Sequence, residues 1–455
     1  MLTEEQQLVV DTVCSSDDRI IAVNSIAGSG KTSTGDAVIR ALKPAKGFYT
    51  AFNKAIVSDS ASKFGNLTTC KTIHALAWQY IRPTKIEELS VATIIENIAY
   101  DDKQTVIDLL DMFYRSAATD IEEFLNNKTD DENIKNLVIE YADKMLTGKI
   151  PVSYNYMLKC LHIMLLNNEI NIDYDLFILD EAQDTTAVAL EIFKLINAKK
   201  KVVFGDKYQN IYSFMDTVNA FEELDNLNLL RLTKSFRCNP IVANTVEAFG
   251  IKHLEPDFRF KGNDLIKSNP TPSIAYISRT NASVIERMYT LMCLNVPFRS
   301  IRSIDELFAL PIAIDNLTQY KNISDKRYKY LEKEFYKFLS YDNYYNFTEY
   351  LQLTMNNPAI IAACNIVNRF KRLNLDLIYV KERLKTFNTS KQIIVTTAHA
   401  YKGLEADTVV IENDLNNSVA QAVNSIERTK EVKETLSTYY VALSRARTIL
   451  KNCNY

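Results

Sequence analysis

The chain has 455 residues, a length typical of about three domain-sized units. Hydrophobic residues make up 47% of it and charged residues 24%, so the sequence can bury sizeable cores, and a wholly disordered protein is excluded. The formal net charge of −3 at pH 7 excludes a polycation, so any contact with nucleic acid must be a local positive groove.

Targeting signals and disulfides are not indicated. No apolar run approaches the roughly 18 residues of a membrane helix, and residues 1–10 lack the basic and apolar regions of a secretory signal. The seven cysteines are scattered and contain no CxxC pair. This pattern argues against a disulfide framework or a zinc module. We therefore expect a cytoplasmic protein of a bacterial or phage-infected cell, without membrane contact.

Short apolar runs bounded by turn residues predict strands that are buried on both faces. In chain order these runs are residues 19–24, 47–51, 174–179, 201–204, 229–232, 273–277, 392–397 and 408–411. Helical patterns such as residues 34–42 and 188–196 lie between them. Strands that alternate with helices predict an α/β fold with parallel sheets.

Two stretches interrupt this alternation. One is helical without strand candidates, and the other is helical and rich in tyrosine. We interpret each as a helical insertion into an α/β core. The expected organisation is a first α/β domain of residues 1–76 and 171–235 with the insertion 77–170, and a second of residues 236–301 and 389–455 with the insertion 302–388.

A glycine-rich loop follows the first predicted strand and opens a helix. It consists of Ala27, Gly28, Ser29, Gly30, Lys31 and Thr32. In this context backbone N–H groups can turn toward phosphates, and the helix N-terminus adds positive potential. Lys31 would reach β- and γ-phosphate oxygens, and the Thr32 hydroxyl would hold Mg²⁺. Because Ser25 replaces the first glycine of the GxxxxGK[ST] pattern, a turn without function is the alternative.

An acidic pair follows the predicted strand 174–179. A carboxylate at a strand's carboxyl end is well placed for a second Mg²⁺ contact, because ligands of open α/β sheets bind at that edge. Asp180 fits the metal, and Glu181 could polarise a water molecule aimed at the γ-phosphate. An isolated pair of this kind is more often a solvated turn, so the prediction depends on Lys31 upstream.

Two arginines could deliver positive charge from outside the loop. Arg237 lies in the sequence KSFR and Arg445 in VALSRA. An arginine presented to a developing phosphoryl charge accelerates the reaction by several powers of ten. Considered singly, each is more often a surface or salt-bridge residue.

The series of motifs resembles the superfamily 1 DNA helicases of the UvrD/Rep/PcrA kind, with the short F-box-helicase-like or phage-encoded members most similar. The resemblance runs in order from residue 2 to 447. The matching segments are Gln6 in 2–10 (the Q motif), 25–32 (motif I), 51–55 (motif Ia), 72–76 (TxHxL), 180–184 (motif II), 205–212 (motif III), 235–237 (motif IV), 278–282 (RTNA), 397–405 (motif V) and 434–446 (motif VI).

The resemblance implies two RecA-like motor domains that bind ATP and Mg²⁺ at an interdomain cleft, and it adds roles in catalysis and nucleotide binding. Gln209 would sense the γ-phosphate, with Arg237 and Arg445 as paired arginine fingers. Gln6 would bond the adenine edge, Phe236 would stack on the base, and Glu405 would face the ribose.

On the nucleic-acid side the resemblance implies a single-strand track. Stacking and phosphate contacts suffice for a grip that tolerates any sequence. The residues implied are Phe52, Asn53, Thr72, His74, Arg279, Thr280, Asn281, Thr397 and His399. Two departures put parts of this track in doubt. Motif III ends in Phe214 and Met215 instead of an aromatic–arginine pair, and Phe52 directly precedes Asn53.

The implied activity is an ATP-dependent DNA helicase or translocase on single-stranded DNA, coupling ATP hydrolysis to strand separation. The forms of residues 180–184 and 397–405 are similar to the 3′→5′ branch. One alternative is a single-strand-dependent ATPase that strips proteins or recombinase filaments with little unwinding, and another is the motor subunit of a nuclease complex. The implied partners are single-stranded DNA, single-strand/duplex junctions, and replication or recombination proteins.

Overall fold

A computed structural model describes residues 2–51, 54–90, 93–95, 98, 100–212, 216–225, 227–341, 343–355 and 357–454. The chain divides into two compact units, Met1–Lys234 and Ser235–Tyr455. The finer division into motor domains and insertions stays a prediction.

The described part of the first unit is built on a parallel sheet of six strands, flanked by a short antiparallel pair. The strands are β1 (Ile20–Ser25), β2 (Gly47–Ala51), β3 (Thr69–Cys70), β4 (Asp173–Asp180), β5 (Thr185–Thr186), β6 (Asn197–Gly205), β7 (Thr217–Val218) and β8 (Asn228–Leu232). The sheet order is β3-β2-β4-β6-β1-β8, and β5 pairs with β7. The carboxyl ends of β4, β6 and β1 therefore lie side by side.

Helices cover both faces of this sheet. They are α1 (Glu4–Ser15), α2 (Lys31–Leu42), α3 (Lys54–Phe64), α4 (Ile73–Ile81), α5 (Tyr100–Arg115), α6 (Ile121–Asn126), α7 (Glu132–Leu146), α8 (Tyr154–Leu166), α9 (Ala187–Leu195) and α10 (Ala220–Glu223). Helix α1 begins with a capping box, in which the Thr3 side chain and the Gln6 side chain each accept the other residue's backbone N–H.

Two apolar cores hold the first unit together. One packs α1, α2 and α3 against the sheet through residues such as Val13, Val38 and Phe64. The other joins the opposite face to α4–α9, so that Phe177 of β4 and Leu110 of α5 belong to one continuous core. The predicted insertion is thus packed onto the sheet, and the burial of its apolar face stabilises both.

The described part of the second unit contains a five-stranded parallel sheet. Its strands are β9 (Ile274–Ser278), β10 (Arg299–Ser300), β11 (Ile393–Thr397), β12 (Ala406–Ile411) and β13 (Ala446–Lys451), in the order β10-β11-β9-β12-β13. Its helices are α11 (Pro240–His253), α12 (Asn281–Cys293), α13 (Ile304–Thr318), α14 (Tyr330–Leu339), α15 (Phe347–Thr354), α16 (Pro358–Arg372), α17 (Leu377–Phe387), α18 (Asn413–Val423) and α19 (Lys430–Leu443).

The predicted α/β fold with two parallel sheets is confirmed, and each predicted strand corresponds to an observed one. The stretch between β10 and β11 is helical, as predicted, and the described residues between β3 and β4 add only a bridge between Ile86 and Val152. Strands β3, β5, β7, β10 and β13 were not predicted. Among the described residues, no helix is long and apolar enough to cross a membrane.

Strand β6 carries a lysine that is fully buried beneath helix α9. The Lys201 ammonium donates to the carbonyl oxygens of Phe193 and Lys194, at 2.6 and 2.8 Å, and so binds the end of the helix. Burial, with a smaller contribution from Arg19, lowers the pKa of Lys201 to about 7.

We expect Lys201 to make the first unit more stable as the pH rises from about 7 toward 10.5. In that window the unfolded chain holds a proton that the folded chain has lost, so the free energy of unfolding increases with pH. In Lys201→Met this increase should be smaller by about 1–2 kcal/mol between pH 7 and 9. Urea titrations followed by the fluorescence of Trp78, the single tryptophan, measure it.

The matched control is Lys199→Met, because Lys199 lies on the same strand with its side chain 81% exposed. The control should keep the wild-type pH dependence. If Lys201→Met shows the same pH dependence of unfolding as the wild type, the prediction that Lys201 loses its proton in this pH range of the folded state is wrong.

Candidate functional site

The glycine-rich loop connects β1 to α2, at the carboxyl edge of the first sheet. Gly28 and Gly30 have φ values of 74° and 82°, in the left-handed region that glycine adopts without strain. Ser29 donates its backbone N–H to the Ile26 carbonyl, which closes the turn. Ser25, which replaces the usual glycine, is buried, and its hydroxyl donates to the Val23 carbonyl at 3.1 Å. Since Ser25 does not have a positive φ, the substitution fits the loop.

Lys31, the first residue of α2, meets the acidic end of β4. Its ammonium lies 2.9 Å from a Glu181 carboxylate oxygen, and both side chains are less than one fifth exposed. Burial lowers the pKa of Lys31, but the charges of Glu181, Asp180 and Asp206 outweigh this and raise it above its usual value. The structure therefore brings the predicted phosphate-binding lysine and the predicted general base into contact.

Asp180 is the most deeply buried of the predicted metal ligands. One carboxylate oxygen accepts the Tyr49 hydroxyl, and the other accepts the backbone N–H of Glu181 at 2.8 Å. Ser60 in turn donates to the Tyr49 hydroxyl at 3.0 Å. Burial and the neighbouring Glu181 charge raise the pKa of Asp180, whereas Lys31 and Tyr49 oppose that rise.

The residues at this edge fit a bound Mg²⁺. A buried carboxylate beside a second carboxylate is short of positive charge, and an aspartate with a hydroxyl is a typical oxygen donor set for Mg²⁺ bound to phosphates. Asp180 would supply the carboxylate, and Thr32, adjacent to Lys31, would supply the hydroxyl. Among the described residues, no cluster of three or more His, Cys, Asp or Glu forms a complete protein-only metal site.

The Gln183 side chain connects Glu181, after β4, to Asp206, after the neighbouring strand β6. Gln183 donates to Glu181 at 2.6 Å, and its carbonyl oxygen accepts the backbone N–H of Asp206 at 3.1 Å. A Cβ at Gly205 would lie 2.5 Å from that Gln183 oxygen and 2.9 Å from the Phe221 ring, so a larger residue there would displace these side chains. Gln209, the predicted γ-phosphate sensor, is buried and donates to Asp206 at 2.8 Å.

The remaining predicted nucleotide contact of the first unit is Gln6. Its side chain is 4% exposed, and its amide nitrogen lies 3.5 Å from the Ser29 carbonyl oxygen. The same side chain caps α1, which by itself explains its burial. The structure thus puts Gln6 against the glycine-rich loop, and its contact with adenine stays a prediction.

The predicted arginine fingers lie together in the second unit. Arg237 forms an ion pair with Glu405 at 2.9 Å and donates to the Ser444 carbonyl at 3.1 Å. Arg445 is 1% exposed, and it donates to the Val441 carbonyl and the Ser444 hydroxyl at 2.9 and 2.8 Å. Phe236, the predicted stacking residue, is 40% exposed. In this structure the Glu405 carboxylate pairs with Arg237 and lies 3.7 Å from Arg447, and its contact with ribose stays a prediction.

The predicted single-strand contacts of the first unit follow strands β2 and β3. Phe52 and Asn53 lie outside the described residues, as do Phe214 and Met215. Thr72 caps α4, and His74 lies 3.3 Å from Asn155. Burial lowers the pKa of His74, and the Asn155 hydrogen bond opposes that change.

Thr72 and His74 line a small pocket of about 30 Å³. Its wall includes Thr50, whose buried hydroxyl has no hydrogen-bond partner in the described structure.

The predicted single-strand contacts of the second unit share one sheet edge. Strands β9 and β11 are parallel neighbours, so the residues that follow Ser278 and Thr397 lie together. Asp414 accepts the backbone N–H groups of Arg279 and Thr280, and Asn281 is the first residue of α12. His399 lies 3.9 Å from Glu434.

Sequence reasoning missed four residues that order these sites. They are Tyr49 beside Asp180, Gln183 beside Glu181, Asp414 beneath the Arg279 backbone, and Arg447, 3.7 Å from Glu405. Gln183 and Arg447 could have been noticed, because each lies two residues from a predicted site residue. Tyr49 and Asp414 give no local signal, because they reach their partners only through the fold.

Known proteins resemble this chain over both units. Residues 6–215 match the AAA domain family. The F-box DNA helicase 1 of Gallus gallus is 25% identical over 507 aligned positions, which cover 99% of this chain and 48% of that protein. The F-box DNA helicase protein 1 of Schizosaccharomyces pombe is 24% identical over 514 positions, with coverages of 98% and 56%. The chain thus spans about half the length of these curated relatives.

These similarities include the residues that form the site. The AAA domain match contains the glycine-rich loop, the acidic end of β4 and Gln209, and both relatives align with almost the whole chain. The resemblance to the superfamily 1 DNA helicases that the order of the motifs indicated is therefore confirmed.

Proposed function

We propose that the chain is an ATP-dependent DNA helicase or translocase that moves 3′→5′ along single-stranded DNA. The observation that carries this proposal is the contact of Lys31 with Glu181 beside the buried Asp180. A loop of backbone N–H groups, an ammonium and two carboxylates at one sheet edge are the parts that a triphosphate-hydrolysing site needs.

In this proposal ATP changes the partners of Lys31. The triphosphate competes with Glu181 for the ammonium, so Lys31 turns to the β- and γ-phosphate oxygens. Glu181 is then free to accept a proton from the attacking water. Mg²⁺, held by Thr32 and Asp180, would neutralise phosphate charge. Gln209 completes the site through its bond to Asp206, and Gln6 reads the adenine edge.

Arg237 and Arg445 supply positive charge from the second unit to the developing phosphoryl charge. Arg237 must break its ion pair with Glu405 before it can bind a phosphate, so its contact with the reacting phosphate depends on bound nucleotide. Phe236 stacks on the base, and Glu405, once released, is available to the ribose. Because hydrolysis removes the γ-phosphate, these contacts are made and lost once in each cycle.

The DNA strand is proposed to follow the carboxyl edges of the two sheets. Phe52, Asn53, Thr72 and His74 would contact it in the first unit. In the second unit the contacts would come from the segment 279–281, Thr397 and His399. We further propose motor domains of residues 1–76 with 171–235 and 236–301 with 389–455, and insertions of residues 77–170 and 302–388.

The setting of this activity is also part of the proposal. We propose that the protein acts in the cytoplasm on single-strand/duplex junctions, together with replication or recombination proteins.

We expect Lys31→Ala to lose nearly all hydrolysis of ATP stimulated by single-stranded DNA, because no other ammonium of the loop reaches the phosphates. Lys63→Ala is the control, since Lys63 lies 51% exposed at the far end of α3. A phosphate-release assay with and without a poly-dT oligonucleotide measures both. Normal hydrolysis by Lys31→Ala would overturn the proposed function.

Arg237→Ala and Arg445→Ala should still bind ATP but hydrolyse it about a thousandfold or more slowly, the usual effect of removing an arginine finger. Fluorescent nucleotide binding and phosphate release separate the two steps, and Arg428→Ala, at an exposed position, is the control. Since Arg445 is buried, its variant is first checked for folding by circular dichroism. Wild-type hydrolysis by either folded variant contradicts its role as a finger.

Strand displacement should require a 3′ single-stranded tail. The measurement compares duplexes that carry only a 3′ tail or only a 5′ tail, beside an assay for displacement of a protein bound to the single strand. Unwinding from the 5′ tail alone would reverse the proposed direction. Protein displacement without strand separation would instead favour an ATPase that strips proteins or recombinase filaments.

A further inference from the structure

A wide groove crosses the helical insertion of the second unit. It is formed where the end of α13, helix α14, the start of α15 and the end of α16 meet, and its volume is about 780 Å³. Sites for single small molecules usually measure about 300–1,000 Å³ and enclose most of their ligand. This groove has a volume within that range, but it lies open along the surface and would leave much of a small molecule uncovered, so its shape suits a segment of a polymer.

The groove presents tyrosine rings to solvent. Tyr345 is 93% exposed and Tyr320 is 77% exposed, although both line the groove beside buried Phe335 and Phe347. The Tyr320 ring packs edge-on against Phe335 with 5.5 Å between the ring centroids, so it is supported from below. Exposed aromatic faces on a packed aromatic floor are platforms on which nucleobases stack.

Two cations at the groove are unpaired in the described structure. Lys371 and Arg372 lie in the last turn of α16 and line the groove, and no described carboxylate forms an ion pair with either. Five other cations of the stretch 302–388 form ion pairs with nearby acids. Those pairs are Arg369 with Glu286, Lys381 with Asp305, Lys385 with Asp305, Lys337 with Glu334, and Arg327 with Asp325.

The groove also contains neutral polar groups. The Thr348 hydroxyl lies 2.6 Å from the Asn346 side-chain oxygen and 2.9 Å from that of Asn368. Each of these amides has a second polar atom that can bond to a ligand. The residues that line the groove therefore include exposed aromatic rings, two cations without an ion pair and two amides, but no acidic residue. Such a surface is complementary to a strand of nucleic acid, whose bases can stack on the rings and whose phosphates can bind the cations.

We propose that this groove binds single-stranded nucleic acid, with bases on Tyr320 and Tyr345 and phosphates on Lys371 and Arg372. The proposal deepens the proposed function and rests on it, because it adds a second contact for the strand away from the sheet edges. An unpaired strand is favoured over a duplex because only unpaired bases expose their faces to a ring.

The test measures binding of a labelled oligo-dT to the full chain by fluorescence anisotropy at several salt concentrations. Tyr345→Ala should weaken binding about tenfold, the typical loss of one stacked base. The double variant Lys371→Glu/Arg372→Glu should reduce the slope of log affinity against log salt by about 1.4, because two phosphate contacts are lost. Photocrosslinking of an iodouridine-labelled strand should yield a peptide containing Tyr320 or Tyr345.

Matched controls come from the same insertion. Tyr336 is 71% exposed on α14 and does not line the groove, so Tyr336→Ala should bind like the wild type. Lys326→Glu/Lys329→Glu makes the same change of charge outside the groove. All variants alter exposed or half-exposed side chains, and thermal unfolding checks that each one folds.

The outcomes separate this inference from the proposed function. If the wild type binds oligo-dT and hydrolyses ATP in response, but the groove variants match their controls, the groove proposal alone is overturned. The same holds if the groove variants lose affinity only for duplex DNA. If the wild type neither binds oligo-dT nor responds to it, the proposed function and the groove proposal both fail.

Discussion

The Lys31 ammonium faces three carboxylates at the carboxyl edge of the first sheet, and the arrangement of the site follows from that excess of negative charge. Lys31 interacts electrostatically with the carboxylates of Glu181, Asp180 and Asp206, and these residues lie at the ends of two adjacent strands, β4 and β6. One positive charge cannot compensate three negative ones in a place from which water is largely excluded. The raised pKa of Asp180 reflects this shortage. The edge is therefore prepared for ligands that bring cations with them.

Parallel strand topology creates this concentration of charge. Because β4, β6 and β1 are neighbours, the acidic turn, the Asp206 turn and the glycine-rich loop meet although they are far apart in sequence. Glu181 has a φ of 52°, a backbone conformation that costs free energy in a non-glycine residue. Its carboxylate is fixed from two sides, by Lys31 and by Gln183, which stabilises that conformation.

Strands could be predicted from the sequence where a few consecutive residues carry the pattern. Buried parallel strands need continuous apolar runs, and for that reason β1, β2, β4 and β6 could be predicted. Strand β13 was missed because its sequence, ARTILK, contains no apolar run longer than two residues, and the strand lies at the edge of its sheet. Two-residue strands such as β3 are too short to have a pattern.

The same distinction applies to the site. Motif residues such as Lys31 and Asp180 could be identified from neighbours in sequence. The partners that orient them could not, because the contact of Tyr49 with Asp180 joins residues separated by 131 positions. The ion pair of Arg237 with Glu405 could not be predicted either, because the two residues are 168 positions apart. In this structure Arg237 already has a partner, so any phosphate must compete with a carboxylate for it.

The two insertions are continuous with the units that carry them, and this limits how they can move. In the second unit one apolar core joins α12 and β11 to α13–α17, through residues such as Met288, Val395, Phe308 and Phe370. Dense packing of this kind transmits displacement rather than absorbing it. A strand held at the end of α16 would therefore move with the second sheet, and with the Arg237 and Arg445 that belong to the same unit.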